Sequence, residues 1–147
     1  MRVDFYQLDG EGVRAGVLAA IAGKLTADGE RLLVVAEDEA LLASLNRQLW
    51  EEGGKGSFLA HGIVDEGDDQ RQPILLSTRT VAANRARHIA LADGVWRAAA
   101  LNFDRAFFIF DPETIDAART AWKDLASDDG VERHYWARED GKWVERG

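Results

Sequence analysis

The chain has 147 residues, 46% hydrophobic and 30% charged, with 18 Lys and Arg against 26 Asp and Glu and a formal net charge of −8. That composition supplies the core of one ordinary domain over 1–147, and the acidic balance argues against a long phosphate track, so contact with nucleic acid is expected to be indirect only. With no cysteine, disulfides, thiolate nucleophiles and Cys-based zinc sites are excluded.

The N-terminus opens on Val3-Asp4-Phe5-Tyr6, without a basic and then apolar leader. No apolar run approaches the roughly 20 residues of a bilayer span, so a cytoplasmic protein without a membrane partner is expected. Residues 3–8 read as a strand, aromatic and β-branched without helical periodicity. Residues 13–28 read as a helix with Leu18, Ile21, Ala22 and Leu25 on one stripe, ended by Asp28-Gly29. Residues 31–36 (RLLVVA) are a continuous apolar run, as in a strand buried on both faces. Asp38 is placed to cap a second helix, with Leu41, Leu42, Leu45 and Leu49 as its stripe and Gly53-Gly54 as its end.

Residues 53–72 read as a loop rich in glycine and acid, with Phe58-Leu59 as a short strand inside it. Residues 73–77 (PILLS) are a further buried strand, where Pro73 is tolerated at the first position. Beyond them, 88–92 fits a strand and 95–101 a short helix. Residues 106–110 (AFFIF) are the most apolar strand. Asp111-Pro112-Glu113 then offers a cap, a proline at the first helical position and a first-turn acid, for a helix to about Ser127. Residues 131–137 and 142–144 read as a terminal strand or hairpin turning at Asp140-Gly141. Strands alternating with helices from end to end predict an α/β fold, its mostly parallel sheet covered by helices on both faces.

Five groups of residues bear on function. Gly10-Glu11-Gly12-Val13-Arg14-Ala15 fits the G-x-G-x-x-G/A pattern, and Glu37 stands about where a ribose-binding acid belongs. On that pattern Gly10, Gly12, Ala15 and Glu37 make a nucleotide site of an oxidoreductase-like domain. Asp9 opposes a pyrophosphate there, and the plainer reading is a glycine turn before an acidic helix start. Asp65, Glu66, Asp68 and Asp69, near His61, offer oxygen ligands to a hard cation, but their spacing matches no calcium loop and solvated acidic loops are common. His61, His88 and His134 include no pair at helical zinc spacing, and no nucleophile elbow accompanies them. Neither a metal nor a catalytic residue is expected, and His88 reads as structural. Trp50 at a helix end, with Phe58 after it, suits an interface anchor or a core edge equally. Finally, Arg119 and Lys123 lie one helical turn apart with Trp122 beside them. Such a face can hold a carboxylate and an apolar group; the alternative is a solvated face with Arg119 paired to Asp116 or Glu113.

Taken in order, Phe5-Tyr6-Gln7-Leu8, the run from Arg31 to Glu39, Leu49-Trp50, Phe58-Leu59-Ala60-His61, Pro73-Ile74-Leu75-Leu76 and the run from Ala118 to Lys123 resemble the chi subunit of bacterial DNA polymerase III. That family is a clamp-loader accessory protein. The resemblance implies a Rossmann-like fold that binds no nucleotide or other cofactor and has no active site of its own. It implies docking of the acidic, phenylalanine-ending tail of single-stranded DNA-binding protein at Arg119, Trp122 and Lys123. It also implies a psi subunit or a substitute bound at Trp50 and Phe58. Asp124, Asp128 and Asp129 follow the basic pair, where acids oppose an acidic tail.

Overall fold

The computed structural model describes residues 1–9, 13–52, 61–64 and 69–146. In chain order these give β1 (Arg2–Gln7), α1 (Val13–Ala27), β2 (Leu32–Val35), α2 (Glu39–Glu52), β3 (His61–Ile63), β4 (Ile74–Ser77), β5 (His88–Leu91), β6 (Arg105–Phe110), α3 (Ile115–Leu125), β7 (Glu132–Glu139) and β8 (Lys142–Arg146). The strands form one sheet in the order β3-β4-β2-β5-β6-β1-β7-β8. Every pairing is parallel except the β7–β8 hairpin. The fold is the mostly parallel α/β arrangement that the alternation of elements predicts, and it is Rossmann-like, as the resemblance implies.

Local chemistry sets the ends of the elements. Gly29 (φ 77°) closes α1 with paired bonds from Glu30 N to Leu25 O (2.8 Å) and from Gly29 N to Thr26 O (3.1 Å). These satisfy two carbonyls that the helix end would otherwise orphan. Asp38 caps α2 as expected, its Oδ1 accepting from Ala40 N at 2.8 Å. Asp140 (φ 51°) and Gly141 (φ 78°) both take the left-handed conformation of a two-residue hairpin turn whose twist suits the strands.

Three elements differ from expectation, and the first is β3, a strand at His61–Ile63 paired with β4 inside the stretch 53–72 that reads as a loop. α3 begins at Ile115, because Asp111 spends its capping capacity on a turn before the helix. Thr114 N donates to Asp111 Oδ1 at 3.1 Å and Asp111 N donates to Thr114 Oγ1 at 3.0 Å, so Pro112 sits inside that turn and not at the first helical position. The short helix expected over 95–101 is a 3-10 turn at Ala98–Asn102. The Phe58-Leu59 strand lies outside the described residues.

β2 and β4 are buried along their whole length, as strands covered on both faces must be. α1 and α2 lay Leu18, Ile21, Leu25, Leu42, Leu45 and Leu49 against one face, over Leu32, Val34, Ile74 and Leu76. On the other face, Ala118, Ala121 and Leu125 of α3 pack with Phe5, Leu33, Val35, Phe108 and Phe110. The side-chain period of two sends alternate residues of each strand to different cores.

β1 lies between β6 and β7 and carries a wholly buried acid, Asp4. Its carboxylate accepts from Arg2 (2.9 Å), Arg105 Nε (2.8 Å) and Trp136 Nε1 (2.9 Å), which ties three neighbouring strands together. Burial alone would raise the Asp4 pKa, but the hydrogen bonds from Arg2, Trp136 and Arg105 outweigh it and hold the group below its ordinary value. At the hairpin, His134 of β7 hydrogen-bonds Glu145 of β8 through Nδ1 and forms an ion pair with Glu132 at 3.1 Å. These two acids, Glu145 first, raise the His134 pKa against a smaller opposing effect of burial.

Asp4→Asn is expected to cost roughly 2–3 kcal/mol at neutral pH, the worth of charged hydrogen bonds, measured by urea unfolding. Since the folded pKa is depressed, the native carboxylate contributes fully above the unfolded value near pH 4. That contribution is lost as pH falls through the folded value, so the gap between the two proteins should close in acid. His134 has the opposite sign. Its contribution is complete below about pH 6.5 and disappears as pH rises through the raised folded value. Amide exchange of β8, corrected for intrinsic rates, should therefore quicken with rising pH in the native chain and not in His134→Gln.

Candidate protein-docking site

The site begins with the periodicity of α3. Ala118, Ala121 and Leu125 are buried, and Ile115 and Trp122 are half-buried at the margin of the same core. At 100° per residue, Arg119 stands about 60° and Lys123 about 100° round the helix from Trp122. Both basic side chains are exposed. Arg119 approaches Asp116 at 3.9 Å with both side chains largely in solvent, at 70% and 97% exposure. A pair that open is worth little and leaves the guanidinium available. Asp124 lies about 140° round the axis from Arg119. Asp128 is engaged in its own turn, where its Oδ1 accepts from Gly130 N at 2.9 Å, and Asp129 is exposed.

Trp122 is held on three sides. Its indole meets Phe5 of β1 edge-on at 5.2 Å and Tyr135 of β7 at 5.7 Å. Arg133 lies over the ring at 4.1 Å and donates from Nη1 to the Trp122 carbonyl at 2.7 Å. Tyr135 in turn donates to Gln7 Oε1 at 2.5 Å. Burial raises the Tyr135 phenol pKa, and the charges of Arg119 and Arg146 work against that rise. The basic groups therefore gather round a half-buried Trp122–Tyr135 pair, with Arg146 also bound to Glu139.

The crevice where such folds take a nucleotide lies between strands whose connections leave on opposite faces. Here those strands are β1, leading to α1, and β6, leading to α3. Arg14 bridges across it. It donates to Asp111 Oδ2 at 3.0 Å beyond β6 and to the Ala92 carbonyl beyond β5. Ala15 is buried in the core, and Glu37 is exposed with its backbone N–H bonded to Asp93 at 2.9 Å. Gly10 and Gly12 lie outside the described residues.

The family model of the DNA polymerase III chi subunit, HolC, matches residues 1–132. The chain belongs to the chi subunit family. Its role is that of a DNA polymerase III accessory protein. A comparison with curated protein sequences finds no match.

The match takes in α3 with Arg119, Trp122 and Lys123, and ends at the first residue of β7. Arg133 and Tyr135, which sequence reasoning did not single out, lie just past it. A strand alternation was legible there, since residues 133 and 135 must share one face. That this face meets α3 depends on β1, which pairs with β7 along six residue pairs. Trp50 lies in the last turn of α2, with its side chain outside the described residues, as is the whole of Phe58. Asp65, Glu66, Asp68 and the His61 side chain also lie outside. Among the described residues no group of three potential metal ligands occurs, and no helix is long and apolar enough to cross a membrane. His88 opens β5 with its Nε2 3.4 Å from Glu30.

Trp122→Ala is expected to cost about 3 kcal/mol, the lower range for losing a large aromatic from a core, because the ring is only half-buried. Arg133→Ala, which removes one cation–π contact and one hydrogen bond, should cost about 1 kcal/mol. Thermal unfolding of both variants at one pH checks the order.

Proposed function

We propose that this chain is a non-catalytic, cytoplasmic replication adaptor that docks the acidic C-terminal tail of single-stranded DNA-binding protein on α3. The observation that carries the reading is the pair Arg119 and Lys123, exposed one turn apart beside the Trp122–Tyr135 edge in a chain of net charge −8. Membership of the chi family supports it. Arg119 holds the terminal carboxylate by charge-assisted hydrogen bonds, and Lys123 meets the acidic side chains before it. Because Arg133 covers an indole face, the terminal phenylalanine lies along what Trp122 and Tyr135 leave uncovered. A psi subunit or a substitute docks at the end of α2 through Trp50 and Phe58. No cofactor takes part, and contact with DNA runs through the bound partner.

A fluorescent peptide of the tail sequence is expected to bind the full chain, more weakly as salt rises. Arg119→Ala should weaken it about tenfold or more, as for loss of a charged contact that becomes desolvated on binding. An undetectable complex, or an unchanged affinity in Arg119→Ala, would sink the assignment. In parallel calorimetry NAD(P)H should give no heat, since Arg14 already spans the crevice.

A further inference from the structure

We infer that a groove on the opposite face of the sheet is a second peptide-docking pocket, built for one aromatic side chain of an internal partner segment with a carboxylate next to it. The groove lies between α1 and the sheet face of β6, β1 and β8 and encloses about 220 Å³. Phe107 is buried at its base, while Tyr6 and Trp143 are half-buried. Tyr6 meets Trp143 edge-on at 5.3 Å and Phe107 in a stacked arrangement at 6.4 Å. Ile21 and Leu25 of α1 close the other wall.

Size selects the occupant. Sites for cofactors and drug-sized ligands usually enclose about 300–1,000 Å³. A cavity of about 150 Å³ with apolar walls already holds a benzene. The groove therefore suits one ring. An aromatic anchor filling such a pocket is how a short segment gains most of its binding energy.

Charge selects what accompanies the ring. Arg105 lines the groove with its guanidinium fixed twice, by Nε donation to the buried Asp4 at 2.8 Å and by stacking over Phe107 at 4.6 Å. Its terminal nitrogens have no partner among the described residues, and neither has the ammonium of the exposed Lys24. One acid, Asp28, shares the lining with these two cations. A preorganised guanidinium beside an apolar slot recognises a carboxylate next to a ring. On a protein this acidic, such a place discriminates sharply among partners. The pocket is separate from the α3 site, since alternation along β1 and β7 sends Tyr6 and Trp136 to one face and Phe5 and Tyr135 to the other.

The probe is the blocked dipeptide N-acetyl-Asp-Phe-amide, titrated into the isotope-labelled full chain by NMR. Saturable shifts at millimolar peptide are expected at Tyr6, Ile21, Phe107 and the Trp143 indole N–H. Lys24→Glu, an exposed change that leaves the core intact, should weaken binding about tenfold, the scale of one interfacial charge contact. Ala20→Trp, which fills the mouth from an exposed position on α1, should abolish binding. Arg119→Ala should leave the shifts unchanged, which separates this pocket from the tail site. The inference fails if the groove residues do not shift. It fails if N-acetyl-Asn-Phe-amide binds equally well, or if the shifts gather round Trp122. It also fails if oligothymidylate produces the groove shifts more tightly than the dipeptide, which would make the face a base-stacking surface.

Discussion

The structure depends on the insertion of β1 between β6 and β7. It is parallel to both, along six residue pairs on each side, so the opening residues join the late strand β6 to the closing hairpin. Every later arrangement follows from that placement. Phe5 reaches Trp122 on one face, and Asp4 gathers Arg2, Arg105 and Trp136 on the other. Parallel pairing between sequence-distant strands is slow to form and costs loop-closure entropy. Buried polar bonds such as those of Asp4 also fix register, because a slip of one residue would turn the carboxylate into an apolar core.

β7 turns this constraint toward function. Arg133 and Tyr135 point to α3, where they steady Trp122. His134 and Trp136 point to the opposite face, toward Glu145 and Tyr6. A single strand thus supports the proposed tail site and the aromatic face beside the groove. The two faces of one sheet would hold the two proposed occupants without mutual obstruction and with no interdomain linker.

In an acidic chain, the use made of each cation is informative. Several arginines are committed internally: Arg2 and Arg105 to Asp4, Arg14 to Asp111, Arg97 to Asp93 and Arg133 to Trp122. Arg119, Lys123 and Lys24 are among the exposed basic groups outside that set. Positive charge left at the surface beside aromatic rings is the feature on which the proposed docking of acidic partners rests.

The sequence by itself determined most of the elements, β3 excepted. Apolar runs marked β2, β4 and β6, the stripe of Leu18, Ile21, Ala22 and Leu25 marked α1, and Asp38, Gly29 and Asp140-Gly141 marked ends and turns, because each of these signals acts over a few residues. The spacing of Arg119, Trp122 and Lys123 was legible for the same reason. The start of α3 was misplaced because the side chains of Asp111 and Thr114 each accept from the other's backbone N–H, a competition that composition does not reveal. Tertiary structure alone decided strand order, and with it the covering of Trp122 by Arg133, the bridging of the β1–β6 crevice by Arg14 and the meeting of Tyr6, Phe107 and Trp143. Those contacts join residues far apart in the chain, and only the packing of β1 against both of its neighbours brings them within van der Waals reach.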